Sequence, residues 1–256
     1  MLCSIKELDG YTLAARDGEI GTVREVYLDD ARWAVRHLVV TTGGWLSSRE
    51  VLISPHAVQH LDREQRRIEV SLTRQQVEAA PGVDTDKPIA RQYETAHHDH
   101  YGYPYYWGGT GLWGAEAYPL GAGLVTDALP DPTLADEVAR AERAEREAAD
   151  PNLRSSAEVI GYHVAAADGA IGHIDDFLFD DRSWAIRWAV VDTRNWLPDR
   201  LVLVALASID GVDWAERRVR VRLAREAVKA SPAYNPAAGV TRDEELKVQR
   251  HFAGWS

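Results

Sequence analysis

The stretch Trp33 to Val58, WAVRHLVVTTGGWLSSREVLISPHAV, returns without a gap as Trp184 to Ile209, WAIRWAVVDTRNWLPDRLVLVALASI. Trp33 matches Trp184, Arg36 matches Arg187, Val39-Val40 match Val190-Val191, Trp45-Leu46 match Trp196-Leu197, and Val51-Leu52 match Val202-Leu203. At this register about 30 of roughly 70 positions are identical, a period too long for a solenoid and suited to two copies of one self-sufficient domain. A chain of 256 residues has room for both, each near the size at which one core suffices. The expected division is a first repeat over 1–92, a linker over 93–152 and a second repeat with a C-terminal arm over 153–256.

Local signals in the repeat are those of short strands and tight turns. Asp17-Gly18, with its twin Asp168-Gly169, supplies the backbone freedom of a hairpin turn. Ile20 to Leu28 reads as a strand closed by Asp29-Asp30, whose twins are Asp180-Asp181. Trp33 to Val40 places apolar residues on both sides, as in a strand buried on both faces. Pro55 ends the strand over 50–54, and Arg67 to Leu72 alternates polar and apolar residues strictly. Thr73 and Gln76 form a capping-box pattern for a short helix stopped by Pro81. The implied fold is mainly β: two tandem small antiparallel barrels, each followed by a short helix.

The pattern Asp17-Gly18-x-Ile20-Gly21, Trp33-x-Val35-Arg36-x-Leu38-Val39-Val40, Trp45-Leu46, Val51-Leu52-Ile53-Ser54-Pro55 and Val70-x-Leu72-Thr73-x-x-x-Val77-x-x-x-Pro81 resembles the PRC-barrel domain. That domain is similar to the cytoplasmic part of the photosynthetic reaction centre H subunit and to the C-terminal barrel of the ribosome maturation factor RimM. The second repeat departs from the pattern at Ala205-Leu206, which replace Ser54-Pro55, and at Arg194-Asn195, which replace Gly43-Gly44. The resemblance implies a non-catalytic adaptor or scaffold that binds a protein partner, without a cofactor, with photosynthetic or electron-transfer complexes as the family setting. An RNA- or ribosome-associated assembly factor is the alternative, and a metal-binding protein using linker histidines is the second alternative.

Charge weighs on these alternatives. The net charge of -11 is concentrated in residues 91–150, where 4 Lys/Arg stand against 11 Asp/Glu. This leaves no broad basic footprint for nucleic acid and repels an anionic membrane surface. No apolar run approaches the length of a membrane span, the opening residues lack a secretory pattern, and Cys3 is the single cysteine, so the expected compartment is the cytoplasm.

The linker opens with YETAHHDHYGYPYYWGGTGLWG over 93–114, which shows no helical or strand period, and continues into an expected acidic helix over about 132–149. His97, His98 and His100 are candidate zinc or nickel ligands, read first as solvated side chains of a segment without fixed geometry. Tyr103, Tyr105, Tyr106, Trp107 and Trp113 are too many large aromatics for an idle linker. They either pack on the barrels or form a partner-binding arm. Arg218, Arg220 and Arg222 recur at period two on one strand face, whereas the first repeat has Arg67, Glu69 and Ser71 there, marking either an acidic-partner surface or a solvated face.

Overall fold

The computed structural model describes residues 1–46, 49–82, 89, 91–107, 109–120, 153–193 and 200–253. The expected helix over 132–149, the pair Trp196-Leu197 and the loop residues Arg194-Asn195 lie outside these residues. The first part of the chain forms β1 (Leu2–Ser4), β2 (Thr12–Ala15), β3 (Gly18–Asp29), β4 (Ala34–Thr42), β5 (Glu50–Ile53), β6 (Val58–Asp62) and β7 (Arg67–Val70), then α1 (Arg74–Glu78) and α2 (Arg91–Tyr101). The second part forms β8 (Leu153–Ser155), α3 (Ser156–Val159), β9 (His163–Ala166), β10 (Gly169–Asp180), β11 (Ile186–Asp192) and β12 (Leu201–Ala205). It continues through β13 (Ile209–Asp213), β14 (Arg218–Val221), α4 (Arg225–Ala230), β15 (Ala233–Tyr234) and α5 (Arg242–Ala253).

The protein is mainly β, with two barrel-like sheets. The first has the order β5-β4-β3-β2-β7-β6, and the second has β13-β14-β9-β10-β11-β12-β15. Pairing is not wholly antiparallel as expected: β2 runs parallel to β7, and β9 parallel to β14. Each parallel pair sets a repeat's opening hairpin beside a strand more than fifty residues later, which a long connection permits and a hairpin does not. Neither sheet closes. In the first, β5 and β6 are joined through the 3-10 turn Pro55–Ala57 and do not pair.

The turn chemistry does more than reverse the chain. Asp17 accepts the Arg74 backbone N–H at 2.8 Å, and Asp168 accepts that of Arg225 at 2.8 Å, so each hairpin aspartate also satisfies an orphan donor of the following helix. Thr73 and Gln76 form the expected capping box. At Gly21 a Cβ would lie 2.0 Å from the Thr41 carbonyl oxygen, and at Gly172 1.9 Å from that of Asp192, so the long hairpin of each repeat requires glycine at its crossing. Trp33 does not continue the strand as expected. It sits in the left-handed region (φ 50°), as does Trp184 (φ 58°), each in the turn after an Asp-Asp pair.

Two compact units result, and each is built from separate pieces of chain. One contains residues 7–154 and 182–185; the other contains 1–6, 155–181 and 186–256. The sheet of the second repeat thus takes in β1, with Leu2 opposite Asp180, Cys3 opposite Phe179 and Ser4 opposite Leu178. Cys3 and Ile5 are buried there, and Asp176 accepts hydrogen bonds from the Ser4 hydroxyl and the Lys6 backbone N–H. In the same way β8 pairs with β3 of the first repeat, where Leu153 joins a cluster of Tyr27, Val39, Leu52 and Ile89, and Arg154 pairs with Asp30 at 3.0 Å.

Deleting residues 1–6 is therefore expected to weaken the second repeat, not the first. Loss of the Ile5 and Cys3 side chains alone removes about 3 to 5 kcal/mol of apolar burial. Hydrogen exchange should show lost protection in β10 with β2 to β5 unchanged; loss centred on the first repeat would refute this assignment.

Candidate functional site

The segment after the first barrel is not structureless. Residues 91–101 form α2, whose inward positions Tyr93, Glu94, His97, His98 and Tyr101 recur at helical spacing. The stripe is built of Tyr, Glu and His in place of aliphatic residues, so no hydrophobic period announces it. Residues 103–116 then fold back over the barrel. Backbone hydrogen bonds between Gly111 and Gly114 and between Trp113 and Glu116 tie the loop. The close turns need glycine: Gly114 has φ of 77°, and a Cβ on Gly109 would lie 2.4 Å from the backbone of Gly114.

Two arginines from the β3–β4 hairpin clamp this arm. Arg32 donates to the carbonyls of Tyr106, Gly109 and Gly111 at 2.7, 2.7 and 2.8 Å. Arg36, fully buried, pairs with Asp29 at 2.7 Å and donates to the Leu112 carbonyl at 2.7 Å. Its guanidinium lies 3.9 Å from the centre of the Tyr106 ring and 4.7 Å from that of Trp113. The Trp113 indole donates to the Ser183 carbonyl at 2.7 Å.

Under the arm lie four histidines. His97 and His98 are fully buried, not solvated as expected for a linker, and His37 of β4 and His56 are buried beside them. Ring centroids are 5.0 Å apart for His37 and His97, and 6.0 Å for His56 and His98. His97 Nε2 meets the Leu52 carbonyl at 3.0 Å and His98 Nδ1 meets the Pro104 carbonyl at 2.9 Å. A carbonyl only accepts, so these nitrogens carry the protons and His97 Nδ1 and His98 Nε2 keep bare lone pairs. Those two atoms, both ring nitrogens of His37, and His56 Nε2 have no hydrogen-bond partner among the described residues. Glu94, also buried, accepts from the Tyr106 hydroxyl and lies 3.7 Å from His37.

Burial fixes the charge state of this cluster. Burial first, then the Arg36 guanidinium, lowers His37 to about 3. Burial, then the neighbouring ring of His37, lowers His56 and His97 to about 3, and burial with the other histidines holds His98 well below its usual range. Burial raises the Tyr93 phenol to about 12 and pushes those of Tyr101 and Tyr103 up as well.

The expected candidates thus separate. His100 is exposed, with Nε2 at 3.0 Å from the Gln76 carbonyl, and does not join His97 and His98. Among the described residues no group of three or more His, Cys, Asp or Glu side chains is placed to hold a metal ion. Tyr103, Tyr106, Trp107 and Trp113 are buried and Tyr105 is half-buried. The Ser54–His56 contact of 3.1 Å resembles a nucleophile–base couple, but both groups are buried and the hydroxyl caps the Pro55–Ala57 turn.

Sequence reading missed His37, His56, Glu94 and Arg36 as members of the site. The signal lay in the repeat: the second copy has Trp188, Ala207, Val248 and Gln249 where the first has His37, His56, His97 and His98. There Trp188 and Val248 belong to an apolar cluster with Leu178, Val190 and Leu203, and the Trp188 indole donates to Glu245 at 3.2 Å, the counterpart of Glu94.

The arginine face is arranged differently. On β14 the inward residues Val219 and Val221 are buried, which turns Arg218 and Arg220 to solvent, and Arg222 follows, also exposed. In the first repeat Arg67 pairs with Glu19 at 3.2 Å and Glu69 at 3.9 Å. Ala170 and Arg220 occupy the positions of those two carboxylates in the second. Among the described residues neither Arg218 nor Arg220 has an ion-pair partner.

The buried histidines make a signed prediction. Unfolded, each takes up a proton near pH 6.5; folded, His37, His56 and His97 resist until about 3. The unfolded state binds more protons throughout that window, so stability is complete above about pH 6.5 and falls toward pH 3, by about 1.4 kcal/mol per pH unit for each histidine. Urea unfolding at pH 7, 6 and 5 should show this loss in the first repeat. The substitution His97→Val, which installs the residue of the second repeat, should remove about one proton from the slope. A slope unchanged by that substitution would contradict a neutral buried His97.

No curated protein matches the chain. Its first repeat does match a family model, that of the PRC-barrel domain, over residues 4–77. Strands β2 to β7, the capping box and the glycine crossing of the first repeat fall within those residues, and that part of the chain is a PRC-barrel domain.

Proposed function

We propose that this protein is a non-catalytic adaptor whose second repeat is also a PRC-type barrel and binds an acidic protein partner through Arg218, Arg220 and Arg222. The observation that carries this reading is the loss, in the second repeat alone, of both carboxylates that neutralise the equivalent arginine in the first. Fixed cations on a rigid strand attract a complementary surface and set the register of docking. The matching strand order of the two sheets supports the second barrel. Assembly work of this kind needs no catalytic group, and the PRC-barrel match over residues 4–77 supports the same reading.

The test is affinity purification from the native host with the full chain and with the double variant R218E/R220E. Wild-type protein should recover a defined acidic protein, insensitive to nuclease, with at least tenfold less recovered by the variant and at raised salt. Recovery that depends on nucleic acid would favour the RNA-associated alternative. An unaltered yield from the double variant would remove the arginine face from the function.

A further inference from the structure

Among the described residues, the two repeats differ in what covers the same groove. In the first, the floor is formed by Ser54, His56 and Ala57 after β5, with His98 and Tyr101 from α2, and all five are buried. Their cover is the aromatic arm: Tyr103 stacks on His56 with ring centroids 5.1 Å apart, Trp113 meets His56 edge-on at 4.8 Å, and Trp107 meets His98 at 5.1 Å. At the matching positions the second repeat has Ala205, Ala207, Ser208, Gln249 and Phe252. Ala207 and Gln249 are exposed and the other three half-buried. Together with Trp188, Leu223, Arg222 and Ala253 they line an open groove of about 500 Å³.

Arg187, the twin of Arg36, shows the same uncovering. Its side chain is 46% exposed and pairs with Glu245 at 3.2 Å, whereas Arg36 is buried beneath the arm. The groove is mainly apolar, of a size typical of binding pockets, with a buried indole in its wall and Arg222, the last of the arginine row, on its rim.

We infer that this groove is a docking site for a Tyr/Trp/Gly-rich segment with an acidic flank, supplied by a partner protein. The occupant's chemistry is taken from this chain itself. The equivalent groove is covered by residues 103–107 and 109–113, which lie between Asp99 and Glu116 and combine large flat rings with glycines that allow close backbone approach. In the second repeat, groove residues that would meet the rings are small or flat, Ala205, Ala207 and Phe252 among them. Arg222 stands where the first repeat has Ser71, which suits an acidic residue beside the rings. The inference rests on the adaptor reading and specifies which part of the partner is held.

The probe is a synthetic labelled peptide of residues 101–116, YGYPYYWGGTGLWGAE, titrated into the full-length protein and followed by fluorescence anisotropy, beside the same peptide with Tyr and Trp replaced by Ala. Saturable binding in the range of about 10 to 100 μM is expected for the aromatic peptide, with at least tenfold weaker binding for its alanine version. A207W places a ring on the exposed groove floor and should weaken binding at least tenfold while the circular dichroism spectrum and melting midpoint stay unchanged; A253W, at the groove edge, provides a second variant should the first perturb folding.

Absence of saturable binding up to about 1 mM, or equal binding of the alanine peptide, would overturn the assignment. So would a concentration-dependent dimer of the wild-type chain abolished by A207W, since the groove would then hold a second copy. Partner capture that is lost in R218E/R220E but retained in A207W would remove the groove and leave the adaptor reading standing. Peptide binding that survives when no partner is captured would do the reverse.

Discussion

The Arg36 guanidinium is the charge around which the covered side of the first repeat is arranged. A fully desolvated cation is tolerated only when its charge and its donors are met, and here Asp29, the Leu112 carbonyl and two aromatic faces meet them together. The partners come from two places: Asp29 from the same hairpin, the remainder from the arm. Barrel and arm are consequently one cooperative unit, since lifting the arm would leave the arginine with one partner of four. The twin residue Arg187 shows the alternative solution, a half-exposed guanidinium paired with one glutamate on α5. One residue type, kept in both copies, serves burial in one and surface pairing in the other.

How much of this was legible follows from which signals are local. Hairpin aspartates, the alternating strand at Arg67 to Val70, the capping box at Thr73 and Gln76 and the terminating proline all act within a few residues, and the structure places each where the sequence implies. The parallel pairings of β2 with β7 and of β9 with β14 join segments more than fifty residues apart and leave no local mark. The helix α2 was hidden for a different reason. Its buried stripe is Tyr93, Glu94, His97, His98 and Tyr101, residue types that ordinarily read as exposed. The candidate site was half legible: the aromatics and His97-His98 stood out, but their partners His37 and His56 lie on separate strands and turns and converge only in three dimensions.

The two sequence repeats can be compared position by position. The second copy folds with Trp188, Val248, Ala207 and Gln249 in place of the four histidines, so the histidine cluster is not a requirement of the fold. In the first repeat the groove is covered by the aromatic arm. In the second, among the described residues, the groove is open and arginines line the adjoining strand. Both differences leave the strand order intact, so the surfaces vary on one scaffold.

The exchanged strands also govern the order in which the protein can be made. β1 leaves the ribosome before the rest of its sheet, yet the Ser4 hydroxyl finds its acceptor on a residue 172 positions later. The first repeat in turn waits for Leu153 and Arg154, which follow the whole linker. Until then the outer half of its longest strand stays open on one side, and the cluster of Tyr27, Val39 and Leu52 lacks its last member. Neither repeat is finished when its own residues have emerged. Both repeats thus depend on contacts of very long sequence separation, the class of contact that costs most loop entropy to form.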